Sequence, residues 1–551
     1  MKFAELMDLQ HEEQAAYRKG YSTIDQIFVL QSLVQKQTCQ KNGRYYMIFI
    51  DFQKAFDSVP HNLLLYTLLK HGIHGRIFTV IKSLYSKLKS SIRVKEGVTE
   101  CFDCTIGTRQ GCMLSPFMFT LYMNELIEML QCFDCKGTYV SEEAKNIMIL
   151  MYADDVAEGA NAVKKLQDMI DVLNEFCLKW GLRVNMDKTR IVVFRRGGKI
   201  KKNEKWQLNG ADIVVVPMYK YLGIVFTCQL NWGKAVYTLS MQARKAIGMI
   251  NSYSIKCGGL PVKIAFQLFD KMVVPIMLYG SEVWGYKYYK VIEDVQTYFC
   301  KILLGLPKQT SNNAVMGDCG RFLLAEKYHK RCLKYWFKIL EMPNSRYVKS
   351  CYKMIKNLDD RGKTTWASSV KELLFKYGFG IVWMEQGVGN VDLFLHRFNE
   401  RVRDCNIQEW YNNIHDSSKL SVYCTFKSLL EPEKYLNCIK VWKHRQSLAK
   451  LRCSCHKLEI EAGRHNKVLM EHRVCKYCEK LNFTVIEDEF HFLLCCPLYE
   501  NLRKRVFGKH YIQKPSFSSF ISIMSTNDED LIAKVAVYIF QANKIRDKEF
   551  N

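Results

Sequence analysis

NIMILMYADDVAE, residues 146–158, is the stretch on which the reading of the fold turns. Its apolar run, residues 147–151, has the length of a short buried strand, and the polar interruption Tyr152-Ala153-Asp154-Asp155 comes where a tight hairpin turn falls. In a regular strand neighbouring side chains point to opposite faces, so only a turn presents two adjacent carboxylates near one point. There they repel: two unit charges about 4 Å apart cost roughly 1 kcal/mol in water and about 4 kcal/mol at an effective dielectric of 20. A divalent cation reverses that cost, and hard cations such as magnesium take carboxylate oxygens together with substrate phosphates. Asp-Asp pairs also occur in inert solvated turns, so the pair alone does not decide the chemistry.

A second acid narrows the choice. Residues 45–50, YYMIFI, form another apolar run of buried-strand length and end in Asp51 of DFQKAFD. Two neighbouring buried strands, each closing with an acid, bring Asp51, Asp154 and Asp155 around two cations. FIDFQKAFD, RQGCMLSP, YADD, WGLRVNMDKT and KYLG follow one another in this order. Together they resemble the palm motifs of reverse transcriptases, most closely those of LINE-type retrotransposons without long terminal repeats. The resemblance is dense over residues 12–230 and thin beyond.

It implies an α+β fold: a polymerase palm with partial fingers (1–230), a helical thumb (231–340), a helical connector (341–440), a small zinc-binding module (441–510) and a helical tail (511–551). The implied activity is RNA-directed DNA polymerisation, a two-metal nucleotidyl transfer onto a primer 3′ hydroxyl. Two Mg2+ ions would sit on Asp51, Asp154 and Asp155, and the partners would be an RNA template, a DNA primer or target DNA, and deoxynucleoside triphosphates. Only 50 residues precede Asp51, where the family places fingers strands and basic residues that hold the triphosphate. The chain therefore reads as amino-terminally truncated, and an inactive nucleic-acid-binding remnant is the alternative.

The resemblance also assigns roles along the palm. Phe56 is either a core phenylalanine or, as the family has it, the ring that closes off space beside the sugar and excludes a ribose hydroxyl. Arg109, Gln110 and Gly111 match the loop that contacts template and nucleotide. Lys188 matches the candidate proton donor to departing pyrophosphate, against an ordinary surface lysine at a strand end. Tyr221, Leu222 and Gly223 match the element that grips the primer end. From the residues themselves, Ser22 or Thr23 caps a helix, and Ser115 caps another in which Pro116 is the first helical residue. Leu166, Met169, Ile170, Leu173, Cys177 and Trp180 recur at helical spacing up to Gly181. Asn209-Gly210 reads as a hairpin turn.

Composition fits a polyanionic partner. Lys and Arg number 80 against 55 acids, a net charge of +25. No apolar run approaches the roughly 18 residues of a membrane span, and the first residues lack an apolar signal core. A nuclear or cytoplasmic protein is expected rather than a secreted one, with RRGGKIKK a candidate nuclear address. The 22 cysteines then read as thiols and metal ligands. Paired CFDC runs, Cys101 with Cys104 and Cys132 with Cys135, have zinc-ribbon spacing, but ordinary reduced thiols are the preferred reading.

Near the carboxyl end, Cys475-x2-Cys478-x12-His491-x4-Cys496 supplies four N/S ligands, a closed tetrahedral shell for a structural Zn2+. Cys495 competes for the last place; Cys496 is chosen because HFLLCCPLY resembles the module that follows the thumb in LINE-type proteins. Lys327, Lys330, Lys334 and Lys338 share a helical stripe beside Tyr328, Tyr335 and Trp336, either a solvated face or a base-stacking track.

Overall fold

The computed structural model describes residues 11–550 except 87, 96, 110, 143 and 144. The chain divides into two compact units, residues 1–235 with 280–287 and 331–391, and residues 236–279 with 288–330 and 392–551. Both the 231–340 and the 341–440 segments of the sequence reading are shared between these units.

In the first unit helix α1, Thr23–Thr38, precedes strand β1, Arg44–Ile50. Helix α2, Ser115–Cys132, leads on to strands β2, Ile149–Tyr152, and β3, Asp155–Ala160. Helix α3, Val163–Trp180, strand β4, Arg190–Arg195, and the hairpin of β5, Met218–Tyr221, and β6, Ile224–Thr227, follow, and helices of the 331–391 segment belong to the same unit. Strands β4, β1, β3 and β2 lie side by side in that order, every pair antiparallel. On one face Tyr46, Ile48 and Ile50 of β1 join Met118 and Phe119 of α2 and Leu166, Ile170 and Leu173 of α3 in a single core. Each such side chain contributes roughly 1.5–3 kcal/mol on burial, and the strand is covered on both faces. The alternating residues Tyr45, Met47 and Phe49 occupy the other face, and Phe49 stacks on Tyr219 of β5 with ring centres 4.6 Å apart.

Local chemistry explains most element ends. Ser22 caps α1 with a reciprocal capping box through Asp25, and Gly181 ends α3 in the left-handed conformation at φ 71°. Asn209 and Gly210, at φ 50° and 76°, turn the short ladder of Gln207–Leu208 with Ala211–Asp212.

Two expectations need correction, and one open alternative resolves toward the solvated face. Residues 147–151 are not one strand: Lys145–Ile147 pairs with Thr138–Ser141, and β2 starts afresh at Ile149. Between them Met148 turns its carbonyl to the Gly159 amide, 2.9 Å away. Ser115 is not a cap but the first helical residue of α2; Leu114, already helical in backbone, occupies the cap position, and the Ser115 hydroxyl lies 3.4 Å from that of Tyr85. Tyr328, Tyr335 and Trp336 are no stacking track, since all three are buried while Lys334 and Lys338 stay exposed. The Tyr335 hydroxyl donates to Asp25 at 2.9 Å, and Arg346 meets the same carboxylate at 3.1 Å, so Tyr335 belongs to the packing around α1. Trp336 donates to the Tyr352 hydroxyl at 2.8 Å, and Tyr328 accepts from the Tyr289 amide at 3.2 Å.

The second unit is helical around its own core. At its centre a fully buried Asp318 accepts from Arg452 Nε at 3.0 Å and from the hydroxyls of Tyr423 and Tyr435 at 3.1 and 2.9 Å. Pairing of this kind is what makes a buried carboxylate tolerable.

Candidate active site and a Cys/His cluster

Register sets the first site. Ile50 pairs with Val156 across β1 and β3, so Asp51, the first residue beyond β1, follows toward Asp155 if the strand alternation continues one residue further. Tyr152 pairs with Asp155 in turn, which leaves Ala153 and Asp154 as a two-residue hairpin tip. Ala153 is held at φ 58°, a left-handed conformation that costs an alanine about 1 kcal/mol. The buried side chain of Gln14 compensates: its Oε1 accepts from the Ala153 amide at 3.0 Å and its Nε2 faces the Ala153 carbonyl at 3.4 Å. Backbone bonds from Ala15 to Met151 and from Met151 to Glu13 tie the same strip to β2.

Asp51 is held as tightly. Its amide donates to Thr189 Oγ1 at 3.2 Å, its carbonyl accepts from the Asn185 amide at 2.7 Å, and its Oδ2 accepts from Asn185 Nδ2 at 3.0 Å. Lys188 Nζ lies 3.5 Å from the same oxygen. Loss of solvent, then the charges of Asp154 and Asp51, raise the Asp155 carboxyl to about 6 even though its side chain stands at the surface. The three acids therefore feel one another, and their excess negative charge, met by one exposed lysine, suits a hard divalent cation. Among the described residues, two sets of three or more His, Cys, Asp or Glu bring their ligand atoms within 4.8 Å of one another, and these aspartates are not one of them. His71, Glu125 and Glu128 are such a set, but Lys70 already bridges both glutamates at 2.8 and 2.6 Å.

The hairpin of β5 and β6 feels this end of the sheet: the charge of Asp155 acts on both Tyr219 and Tyr221. Tyr221 is buried against Phe49, and burial followed by the charge of Asp155 raises its hydroxyl well above the usual range. Leu222 and Gly223, at φ 45° and 84°, form the tip between β5 and β6. Phe56 is half-buried, stacked on Phe119 with centroids 4.1 Å apart, and its carbonyl accepts the Thr108 amide at 2.7 Å. That bond brings the 107–112 loop beside it. Gly107 is required there, because a Cβ would lie 3.1 Å from the Asp57 carbonyl oxygen. Arg109 and Gly111 are exposed, and Gln110 lies outside the described residues. Gln14, Asn185 and Thr189 escaped the sequence reading. Asn185 and Thr189 stand inside the quoted WGLRVNMDKT, whereas nothing in the flanking Ala15 and Ala16 marks Gln14.

A second cluster is built on different principles. Cys475, Cys478, His491 and Cys496 are all buried and place one ligand atom each within 4.8 Å of one another. Cys475 Sγ lies 3.9 Å from Cys496 Sγ, and Cys478 Sγ 3.4 Å from His491 Nε2. The local ladder sets this up: Cys475 donates its amide to Val485 at 2.8 Å, Asp488 caps the His491 amide at 2.7 Å, and Cys496 returns to the His491 carbonyl at 2.8 Å. The hydrogen bond between Cys475 and Cys496 draws the first thiol down and pushes the second up, and burial pushes Cys478 up as well. Cys495 is only partly buried and stays outside the set. Four soft donors in a closed shell fit a structural zinc better than any oxygen-seeking ion. Of the CFDC runs, Cys101 and Cys132 are exposed, and Cys104 Sγ is 3.1 Å from Ser90 Oγ.

A helix-backed antiparallel sheet whose strand ends gather three aspartates is the palm of a nucleic-acid polymerase. Residues 2–226 match the family described as reverse transcriptase (RNA-dependent DNA polymerase), and the relatives that the chain resembles include polymerases of retrotransposons. It is 22% identical to the probable RNA-directed DNA polymerase from transposon BS of Drosophila melanogaster over 338 residues, 59% of this chain and 36% of that protein. Identity to the RNA-directed DNA polymerase from mobile element jockey of Drosophila funebris is 22%, covering 60% of this chain and 36% of that one. A retrovirus-related Pol polyprotein from type-1 retrotransposable element R2 of Popillia japonica is 29% identical over 48% of this chain and 37% of its own. The matches thus span little more than a third of these relatives. Among solved structures, telomerase from Candida albicans in complex with a fragment of telomeric RNA overlaps 64% of this chain and 57% of its own at 11% identity, with a TM-score of 0.31, too low to carry an argument. Among the described residues no helix is long and apolar enough to cross a membrane.

Proposed function

We propose that this chain extends a DNA 3′ end on an RNA template, using deoxynucleoside triphosphates. The observation that carries the reading is the strand register that leads Asp51 toward Asp155 beside the Asp154 tip. Asp51, Asp154 and Asp155 would hold two magnesium ions, which when bound make the primer hydroxyl more acidic and neutralise phosphate charge. Asn185 and Thr189 fix Asp51, and Gln14 fixes the corner that presents Asp154. Lys188 would give a proton to departing pyrophosphate, and Phe56 would crowd the sugar of an incoming nucleotide. Arg109, Gln110 and Gly111 would contact template and nucleotide, and Tyr221, Leu222 and Gly223 would grip the primer end. In this reading residues 1–230 are palm and partial fingers, 231–340 thumb, 341–440 connector, 441–510 a module folded on zinc through Cys475, Cys478, His491 and Cys496, and 511–551 a helical tail. The nucleus, where chromosomal target DNA lies, is the proposed place of action.

Replacing Asp154 by Ala should abolish magnesium-dependent extension of a DNA primer on RNA, a loss on the order of a thousandfold. Extension by the variant at the parent rate refutes the assignment. One rival is a remnant that binds nucleic acid without catalysis, which the net charge of +25 also fits. It predicts salt-sensitive RNA binding with no nucleotide incorporated at any magnesium concentration.

A further inference from the structure

The second unit contains a groove of about 850 Å³, within the size range of small-ligand sites. Residues 247–265, 299–303 and 436–445 supply its lining, which is mostly apolar. Two cations line it, Lys440 and Arg445, and no acidic residue does.

Arg445 is the unusual member. It is 93% buried (7% exposed), its Nη1 donates to the Ile439 carbonyl at 3.1 Å, and its Nε has no hydrogen-bond partner. A buried guanidinium without a counter-charge is costly, and an anion entering the groove would offset that cost. Trp442 stands at the rim, 47% exposed, with its ring against Gly305, where a Cβ would meet Cζ2 at 2.7 Å. Backing of this kind fixes the indole while leaving surface for a second flat ring. Asn251 and Asn437 add amide groups able to donate and accept along a base edge.

We infer that this groove binds one unpaired nucleotide of a single-stranded nucleic acid, with its base on Trp442 and its phosphate at Lys440 and Arg445. The apolar wall, the flat indole and the uncompensated cations are the parts from which single-strand sites are assembled. Choosing nucleic acid over an acidic amphipathic peptide rests on the polymerase reading and on the net charge of +25.

Binding of fluorescein-labelled ten-residue oligonucleotides to the full chain, without magnesium or triphosphates, tests this by anisotropy. Trp442→Ala should weaken single-stranded binding roughly tenfold, the usual scale for removing one stacking partner, and leave a blunt duplex of the same sequence unchanged. Lys440→Glu, at an exposed position, should do the same without disturbing the core, and Arg445→Gln should follow if its thermal unfolding matches the parent. RNA and DNA arms tell which strand is preferred, and either supports the site. A 4-thiouridine probe should crosslink within residues 436–445 or 247–255. Unchanged single-strand affinity in both Trp442→Ala and Lys440→Glu, or displacement of the probe from those crosslinks by an acidic peptide alone, overturns the proposal. Primer extension run in parallel separates the two readings: a chain that never incorporates nucleotide but loses single-strand binding with Trp442→Ala keeps the groove and loses the polymerase.

Discussion

The aspartate end of the sheet and the Cys/His cluster are both assembled from residues that only folding brings together, yet they sit at opposite electrostatic extremes. One keeps Asp155 at the surface, raises its carboxyl to about 6 through loss of solvent and the charges of Asp154 and Asp51, and leaves its acids spread. The other buries all four donors and draws them together. An open, self-repelling site has room for substrate phosphates and a reason to attract cations; a closed one has neither room nor need for a substrate. The contrast separates a site that acts from a site that holds.

The largest effect should come from breaking the closed site. Cys478→Ser is expected to lower bound zinc by one ion per chain, read by atomic absorption, and to raise hydrogen exchange over residues 441–510. Structural zinc contributes about 10 kcal/mol in isolated fingers, so the local loss should be nearly complete. Exchange in β1 and β3 should not change; a rise there would mean that the two sites are not independent.

A smaller effect sharpens the comparison within a single strand. Glu158 lies three residues after Asp155, opposite Ile48 on the core face, and burial raises its carboxyl to about 8 with neither oxygen hydrogen-bonded. A carboxyl raised on folding contributes stability that is fully present below its unfolded value near 4.5 and lost as pH rises through about 8. The full span is roughly 5 kcal/mol as an upper limit. Glu158→Gln should therefore flatten the pH dependence of urea unfolding between pH 5 and 8 and be the more stable form at pH 8. Equal slopes in the two proteins would show that Glu158 is ionised in the fold.

The smallest effect concerns positioning. Asn185→Ala removes the amide that holds Asp51 Oδ2 while leaving the backbone bond, and should reduce kcat about tenfold and raise the magnesium needed for half-maximal rate. A change in KM for nucleotide alone, with kcat and magnesium dependence intact, would take Asn185 out of the site.

Much of the palm was legible because its signals are local. The apolar runs ending in Asp51 and leading to Asp154, the 3.6-residue spacing up to Trp180 and the Asn209-Gly210 turn each follow from neighbours in sequence. The corner Tyr152-Ala153-Asp154-Asp155 falls where the polar interruption put it. What stayed hidden depends on partners far along the chain. Gln14 reads as one more polar residue until β2 lies beside it, and the buried Tyr335 shows its role only once Asp25 is near. The same lysine and aromatic spacing suits a nucleic-acid track or a helix docked in a core, and packing alone tells them apart. The break at Met148 was invisible for a similar reason: an unbroken apolar run does not say where one ladder hands over to the next.

The bond between Gln14 and the left-handed alanine means that the acidic hairpin does not own its shape. A synthetic peptide copying residues 146–160 would be free to unwind that corner and scatter its charges. Anyone transplanting the motif to another scaffold would have to bring the distant glutamine along, because half of the instruction for the bend is written more than a hundred residues upstream.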